Sequence, residues 1–139
     1  MTTALAAQEV CMSYYMNKTL SIPFGQALER AKEELKKEGF GVLTEIDVRE
    51  TLKIKLDVDF RNYRILGACN PPFAYQALQT EEKIGLLLPC NVIVQETLDG
   101  KVEVAAIDPS AAMQAVGNPR LMEVAAQVQR KLKNVIAGL

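Results

Sequence analysis

The sequence predicts an α+β domain with a mostly antiparallel sheet, and three observations favour this fold class. Asp99-Gly100 separates two stretches rich in β-branched residues, which is the strongest short-range signal for a β-hairpin. Apolar residues recur at helical spacing over residues 24–35 and again over residues 121–136. A sheet with few strands cannot cover itself, so we expect these two long helices to pack on one of its faces.

The first part of the chain is predicted to form a strand, a helix and a second strand. Residues 13–21 form the first strand, with side chains that alternate between two faces. Pro23 is typical of the first turn of a helix, and Gly39 is typical of the C-terminal end of one. Residues 41–46 then form the second strand.

Residues 47–60 fit two patterns. The acidic residues at the start resemble a capping box before a helix, whereas apolar residues alternate strictly over residues 52–60, as in a strand. We expect a helix to about Leu56, because the aspartates that follow it suit a strand interior poorly. This choice leaves Ile54 partly exposed or in contact with a partner subunit.

The second part of the chain begins with a third strand over residues 62–68. Asn70 is a suitable cap and Pro71 a suitable first residue for the helix that follows, and residues 81–87 indicate a further helical turn. The remaining elements are hairpin strands over residues 91–98 and 101–107, a short turn or helix at Asp108-Pro109, and a last helix from Asn118-Pro119. The predicted order is therefore β-α-β-(α)-β-α-β-β-α.

Composition excludes several function classes. The chain has no histidine, which excludes Ser-His-Asp hydrolysis, Cys-His nucleophiles and His-ligated metal sites. Its three cysteines cannot close a four-thiolate zinc site, and it has no glycine motif for phosphates or dinucleotides, so we expect neither metal nor cofactor. A net charge of −1 and the absence of tryptophan argue against nucleic acid as a partner. No apolar run reaches the ~18 residues of a membrane span.

We expect one domain over residues 12–139, preceded by an extension over residues 1–11 for which disorder is one interpretation. The extension lacks a basic region and a sustained apolar run, so we do not interpret it as a secretory signal. Met12 is an alternative start to Met1. Three reduced thiols in a chain without such a signal fit the cytoplasm.

Two near-copies of one tetrad form the candidate site: Ala68-Cys69-Asn70-Pro71 and Pro89-Cys90-Asn91-Val92. Their cysteines are either small buried hydrophobes at strand ends or a thiol pair for redox or nucleophilic chemistry. If Cys69 and Cys90 lie on antiparallel neighbouring strands, the two thiols meet at one edge of the sheet, and we favour this arrangement. If a parallel crossover joins the strands, the thiols lie at opposite ends.

Four further residues are candidates for ligand binding, namely Asn70, Asn91, Tyr63 and Glu45. The asparagines and Tyr63 also have a structural interpretation, since asparagines commonly cap helices and form turns, and tyrosines are commonly half-buried packing residues. Glu45 is a candidate because it lies with Asp47 and Asp108 at the ends of predicted strands, where the three form a carboxylate cluster if they face a pocket. Asp47 and Asp108 precede predicted helical turns, so we interpret both as N-caps.

Three segments, in order, resemble a known family. They are Glu38-Gly-Phe-Gly-Val-Leu-Thr-Glu-Ile-Asp47, Tyr63-Arg-Ile-Leu-Gly-Ala-Cys-Asn-Pro71 and Ile84-Gly-Leu-Leu-Leu-Pro-Cys-Asn-Val92. With Asp108-Pro109 and the closing helix, they make residues 12–139 similar to the family catalogued as domain of unknown function 302. The resemblance implies a TATA-binding-protein-like fold, in which helices cover one side of a curved antiparallel sheet, and a homodimer. It implies no activity and no DNA binding, because a basic, phenylalanine-rich concave face is missing.

The resulting hypothesis is a homodimer that binds a small molecule or a partner without catalysis. The alternative is a cytoplasmic thiol-redox protein that uses Cys69 and Cys90. A third hypothesis is a structural or assembly protein. The distance between the two thiols and their exposure distinguish these hypotheses most directly.

Overall fold

The computed structural model describes residues 13–139, so the expected extension over residues 1–11 lies outside the described residues. The strands are β1 (Tyr15–Leu20), β2 (Gly41–Asp47), β3 (Tyr63–Cys69), β4 (Cys90–Glu96) and β5 (Val102–Ile107). The helices are α1 (Phe24–Lys37), α2 (Val48–Leu56), α3 (Pro71–Thr80), α4 (Pro109–Met113) and α5 (Pro119–Ala137). Two 3₁₀ turns cover Ile84–Leu87 and Gln114–Val116.

The five strands form one sheet in the order β1-β5-β4-β3-β2, and every neighbouring pair is antiparallel. This arrangement confirms the predicted α+β class and the predicted order of elements. The hairpin between β4 and β5 is also confirmed, but its strands are shorter than expected. The ladder ends at the pair Glu96 and Val102, and Gly100 takes a positive φ in the intervening loop.

Alternation along the strands separates a covered face from an open face of the sheet. Val92 and Val94 of β4 and Val104 of β5 are fully buried, and they pack in one core with α1 and α5. Helix α1 buries Ala27, Leu28, Ala31 and Leu35, and α5 buries the predicted stripe from Leu121 to Ile136. The two long helices therefore cover the same face, as the sequence indicated.

As expected, side chains cap the N-termini of three helices. The carboxylate of Asp47 accepts the Glu50 amide, that of Asp108 accepts the Ser110 amide, and Asn118 accepts from the start of α5. Helix α2 ends at Leu56 as predicted and buries no residue, and 74% of Ile54 is exposed. The helical turn predicted over residues 81–87 is a 3₁₀ turn at its C-terminal part.

Within residues 13–139, no helix combines the length and the apolarity needed to cross a bilayer.

Candidate functional site

A cavity of about 270 Å³ lies where β3 ends and β4 begins, under α3, α4 and α5. We call it the Cys-Asn cavity, because Cys69, Asn70 and Cys90 lie in its wall. Aromatic and aliphatic side chains form most of the remaining wall; they include Phe40, Leu43, Phe73, Ala77, Met113 and Val128. A concave, largely apolar space with few polar groups is the usual form of a small-molecule site.

The wall of the Cys-Asn cavity includes an irregularity in β2. The register of β2 against β3 shifts between Val42 and Thr44, and Leu43 is the residue inserted there. Leu43 is 67% exposed although it lines the cavity, and Phe73 is half-buried. The wall also contains the fully buried Ala125 of α5. The lining residues therefore range from solvent-exposed to fully enclosed.

The strand register brings the two cysteines to the same end of the sheet, where β3 ends and β4 begins. Ala68 is directly opposite Cys90, so Cys69 is one residue beyond that pair. This is the antiparallel arrangement that we favoured from the sequence. Both thiols are free, with Cys90 buried and Cys69 partly accessible.

The two thiols differ in their environment. Burial first, and the neighbouring Cys69 second, raise the pKa of the Cys90 thiol to about 11. Apolar surroundings disfavour the charged thiolate, so Cys90 is a neutral, weakly nucleophilic group near neutral pH. The prediction that at least one thiol is largely buried is confirmed, and Cys90 is the one.

The structure corrects the prediction that the Asn70 side chain caps α3. Asn70 occupies the N-cap position of α3, but its side chain makes no capping hydrogen bond. Its Nδ2 instead donates to the backbone oxygen of Glu38, at 3.1 Å, and only 8% of the residue is exposed. Asn70 therefore joins the start of α3 to the end of α1, a contact across 32 positions that the local sequence does not reveal.

Glu45 lies away from the cavity, in a cluster of charged side chains. Lys32 of α1 is 2.8 Å from one carboxylate oxygen of Glu45, and Arg64 of β3 contacts the other. Arg64 also lies 3.3 Å from Asp47. Lys32 first and Arg64 second hold the pKa of Glu45 below its usual value. The cluster joins α1 to two strands, so we interpret the role of Glu45 as structural.

Tyr63 and Asn91 lie on the open face of the sheet, in a second depression. We call it the open-face groove; it is lined by Tyr14, Tyr15, Tyr63, Asn91, Ile93, Gln95, Glu103, Ala105 and Ile107. Its floor is polar at one place, where the Glu103 carboxylate accepts from Asn17 at 2.8 Å and from Gln95 at 2.7 Å. The six residues predicted as candidates thus belong to three separate places: Cys69, Asn70 and Cys90 line the Cys-Asn cavity, Tyr63 and Asn91 line the open-face groove, and Glu45 belongs to the charged cluster.

Sequence reasoning missed the residues that give the cavity its chemistry. Phe73, Ala77, Met113 and Val128 line it. Each belongs to an apolar helix stripe, and such a stripe is the same whether it faces a packed core or an empty space. The single usable signal is the pair of Cys-Asn steps, which mark where β3 and β4 meet the cavity.

Among residues 13–139, no three histidine, cysteine, aspartate or glutamate side chains come close enough to hold a metal ion.

An open antiparallel sheet with two long helices on one face defines a small α+β domain, and an apolar cavity lies where β3 ends and β4 begins. The chain belongs to the family described as domain of unknown function DUF302, whose sequence profile matches residues 16–139. The solved structure of an uncharacterized conserved DUF302 protein from Bacillus stearothermophilus is similar, with a TM-score of 0.84 at 30% sequence identity. That match covers 90% of this chain and 97% of the other chain. A comparison with curated proteins finds no match.

Proposed function

We propose that this domain binds a small, largely apolar molecule in the Cys-Asn cavity and performs no chemistry on it. The observation that carries the proposal is the cavity itself, a largely apolar space of about 270 Å³ whose wall includes the exposed Leu43. An engineered cavity of about 150 Å³ holds benzene, so this space suits a ligand of roughly ten non-hydrogen atoms.

Catalysis is disfavoured by what the cavity wall contains. Its titratable groups are the thiols of Cys69 and Cys90. The raised pKa of Cys90 removes one of the two as a nucleophile near neutral pH. General acid–base catalysis needs a group whose pKa lies near the working pH. The wall therefore favours binding over reaction.

Thiol-redox chemistry is the second candidate, and the shared sheet edge of Cys69 and Cys90 favours it. A dithiol needs an accessible sulfur with a low pKa, and a buried partner with a raised pKa resists thiolate exchange. We rank it below ligand binding for that reason. Two free thiols also fit the cytoplasm, which we propose as the location of the protein.

Binding of indole and benzofuran, two apolar bicyclic probes of equal size, tests the main proposal. Ala74 of α3 is half-buried in the cavity wall, so Ala74→Leu places extra carbon atoms in the space. Ala126 of α5 is equally half-buried but lies outside the cavity, so Ala126→Leu is the matched control. We expect calorimetric titration to show binding to the wild-type protein and to Ala126→Leu, and a loss of about tenfold or more in Ala74→Leu.

Failure of both probes to bind the wild-type protein contradicts the proposal, and so does equal binding by the two variants. Mass spectrometry of the purified protein under native and denaturing conditions adds a second readout. A bound molecule is expected as extra mass that denaturation releases, whereas extra mass that remains on Cys69 or Cys90 supports the thiol alternative.

We also propose that the protein is a homodimer that pairs through the open face of its sheet. One row of directly paired residues crosses this face from β2 to β5 and consists of Ile46, Ile65, Ile93 and Ala105. Ile46 is 47% exposed, and Ile65 and Ile93 are half-buried. A continuous apolar row on an uncovered sheet is typical of an interaction surface. A second copy offers an identical row, as a two-fold interface requires.

Substitution of one residue in this row tests the dimer. Ile93→Lys is expected to give a monomer by light scattering at micromolar concentration, because it places a charge in the centre of the row. Ile54→Lys is the control, since Ile54 is more exposed but belongs to α2. A monomeric wild-type protein, or a dimer that survives Ile93→Lys, contradicts this assembly.

A further inference from the structure

The polar side chain of Asn70 in the wall of the Cys-Asn cavity indicates which chemical class of ligand the cavity binds. Asn70 is more than nine-tenths buried, and its side chain lies in the cavity wall. Its Nδ2 is held by the backbone oxygen of Glu38 at 3.1 Å, which fixes the orientation of the amide. Gly39 packs directly against that nitrogen, because a Cβ there would come within 3.2 Å of it.

The side-chain oxygen of Asn70 is left without a partner. Within residues 13–139 no donor contacts it, either from α3 or from any other element. In the same part of the chain, no side-chain nitrogen or oxygen is both fully enclosed and unpaired. The oxygen therefore keeps accessible surface, and because Asn70 lines the cavity we assign that surface to the cavity wall. A carbonyl oxygen in an otherwise largely apolar wall favours a ligand that supplies a donor.

The start of α3 adds no competing donor from its first two residues. Pro71 and Pro72 have no amide hydrogen, so the first N–H of the helix belongs to Phe73. Asn118 and Asp108, which begin other helices, accept from the amides of their own first turns. Pro72 thus removes the amide of the second helical residue, from which Asp108 and Asn118 accept in their own helices.

We propose that the ligand is an apolar molecule with one hydrogen-bond donor, a hydroxyl or an N–H, which donates to Asn70 Oδ1. This inference rests on the proposed function, since it names the ligand class of the same cavity. A ligand of roughly ten non-hydrogen atoms fits the volume. The Cys90 thiol is neutral and no cationic side chain lines the cavity, so a carboxylate or phosphate ligand is disfavoured.

Indole and benzofuran distinguish this inference from the proposed function. The two molecules have nearly the same size and shape, but indole carries an N–H donor where benzofuran has an oxygen. We expect indole to bind the wild-type protein about tenfold more tightly, as a single hydrogen bond to a buried acceptor predicts. Equal binding of both probes overturns the inference but leaves the proposed function intact. Absence of binding by both overturns the proposed function as well.

Two variants test whether Asn70 causes the preference for indole over benzofuran. Asn70→Leu removes the acceptor and is expected to make the two affinities equal. Asn91→Leu, in the second Cys-Asn step, is the matched control, because Asn91 lies on the open face. We expect this control to keep the tenfold preference, and its loss there contradicts the assignment. If Asn70→Leu does not fold, the two probes on the wild-type protein still decide the matter.

Discussion

Thr44 and Gly67 are paired across β2 and β3, and the hydroxyl of Thr44 occupies the space that a Cβ on Gly67 would need. On the other side, the same Cβ would lie 2.9 Å from the ring of Pro89. Gly67 is therefore required for space beside the bulge of β2, where β3 and Pro89 lie in close contact.

Gly67→Ala is expected to destabilise the fold by about 1–3 kcal/mol, the usual cost of overpacking. Because the Thr44 side chain is the nearest obstacle, the double variant with Thr44→Ala is expected to recover part of this loss. Gly41→Ala is the control, since Gly41 lies in the neighbouring strand β2 and has open space around its Cβ position. Urea unfolding measures all four proteins. A Gly67→Ala variant as stable as Gly41→Ala contradicts the steric argument.

Asp108 caps α4 and also contacts α5. Asp108→Ala is therefore expected to lower the free energy of unfolding by about 1–2 kcal/mol, a typical loss for a cap. The Asp108 carboxylate accepts the Ser110 amide at 2.9 Å and the Gln129 amide group at 2.9 Å and 3.0 Å. Asp47→Ala is the comparison, because it removes a cap from α2, which buries no residue, and a partly exposed contact to Arg64. Thermal unfolding should show the larger loss for Asp108→Ala. Equal losses mean that the Gln129 contact contributes no more than the contact between Asp47 and Arg64.

The sequence predicted the fold better than the site because the fold depends on local signals. Asp99-Gly100 and the cap at Asn118 act within a few residues, and both features are present. The structural role of Asn70 depends on Glu38, which comes close only after α1 and β3 have packed together. The cavity likewise depends on what the apolar stripes of three helices fail to fill, and the periodicity of a stripe carries no information about empty space.

The raised pKa of Cys90 predicts a loss of stability at alkaline pH. An unfolded cysteine releases its proton near pH 8.5–9, whereas the folded thiol holds it to about pH 11. Between these values the folded state binds more protons than the unfolded state, so the free energy of unfolding falls as pH rises. The expected contribution is roughly 2–3 kcal/mol by pH 11.

Cys90→Ala isolates this contribution, because the other groups that titrate at alkaline pH are common to both proteins. The difference in stability between wild type and Cys90→Ala should be constant below pH 8 and change between about pH 9 and 11. Cys69→Ala, at the partly accessible cysteine, is the control. A flat difference curve for Cys90→Ala contradicts the burial argument. Alkylation of Cys90 in the folded protein near pH 7 contradicts it as well.

The ion pairs of Glu45 predict the opposite dependence, at acid pH. Lys32 at 2.8 Å is the main reason why the pKa of Glu45 is lowered, with Arg64 second. A carboxyl with a lowered pKa in the folded state stabilises the fold above its unfolded pKa of about 4.3, and this contribution is lost as pH falls through the folded value. Because the cluster is partly exposed, the contribution is expected to be at most about 1 kcal/mol.

Lys32→Met removes the main partner, so we expect it to lower stability at pH 7 and to reduce the loss between about pH 5 and pH 3. Lys37→Met is the matched control, because Lys37 pairs with Glu34 on the same helix but is 68% exposed. Urea unfolding at several pH values measures both variants, and added salt should reduce the effect of Lys32→Met. If both variants show the same pH dependence, the cluster at Glu45 contributes no more than an exposed pair on the helix surface. In that case the contact between α1 and the strands depends on the apolar packing of its buried residues, Ala27, Leu28, Ala31 and Leu35.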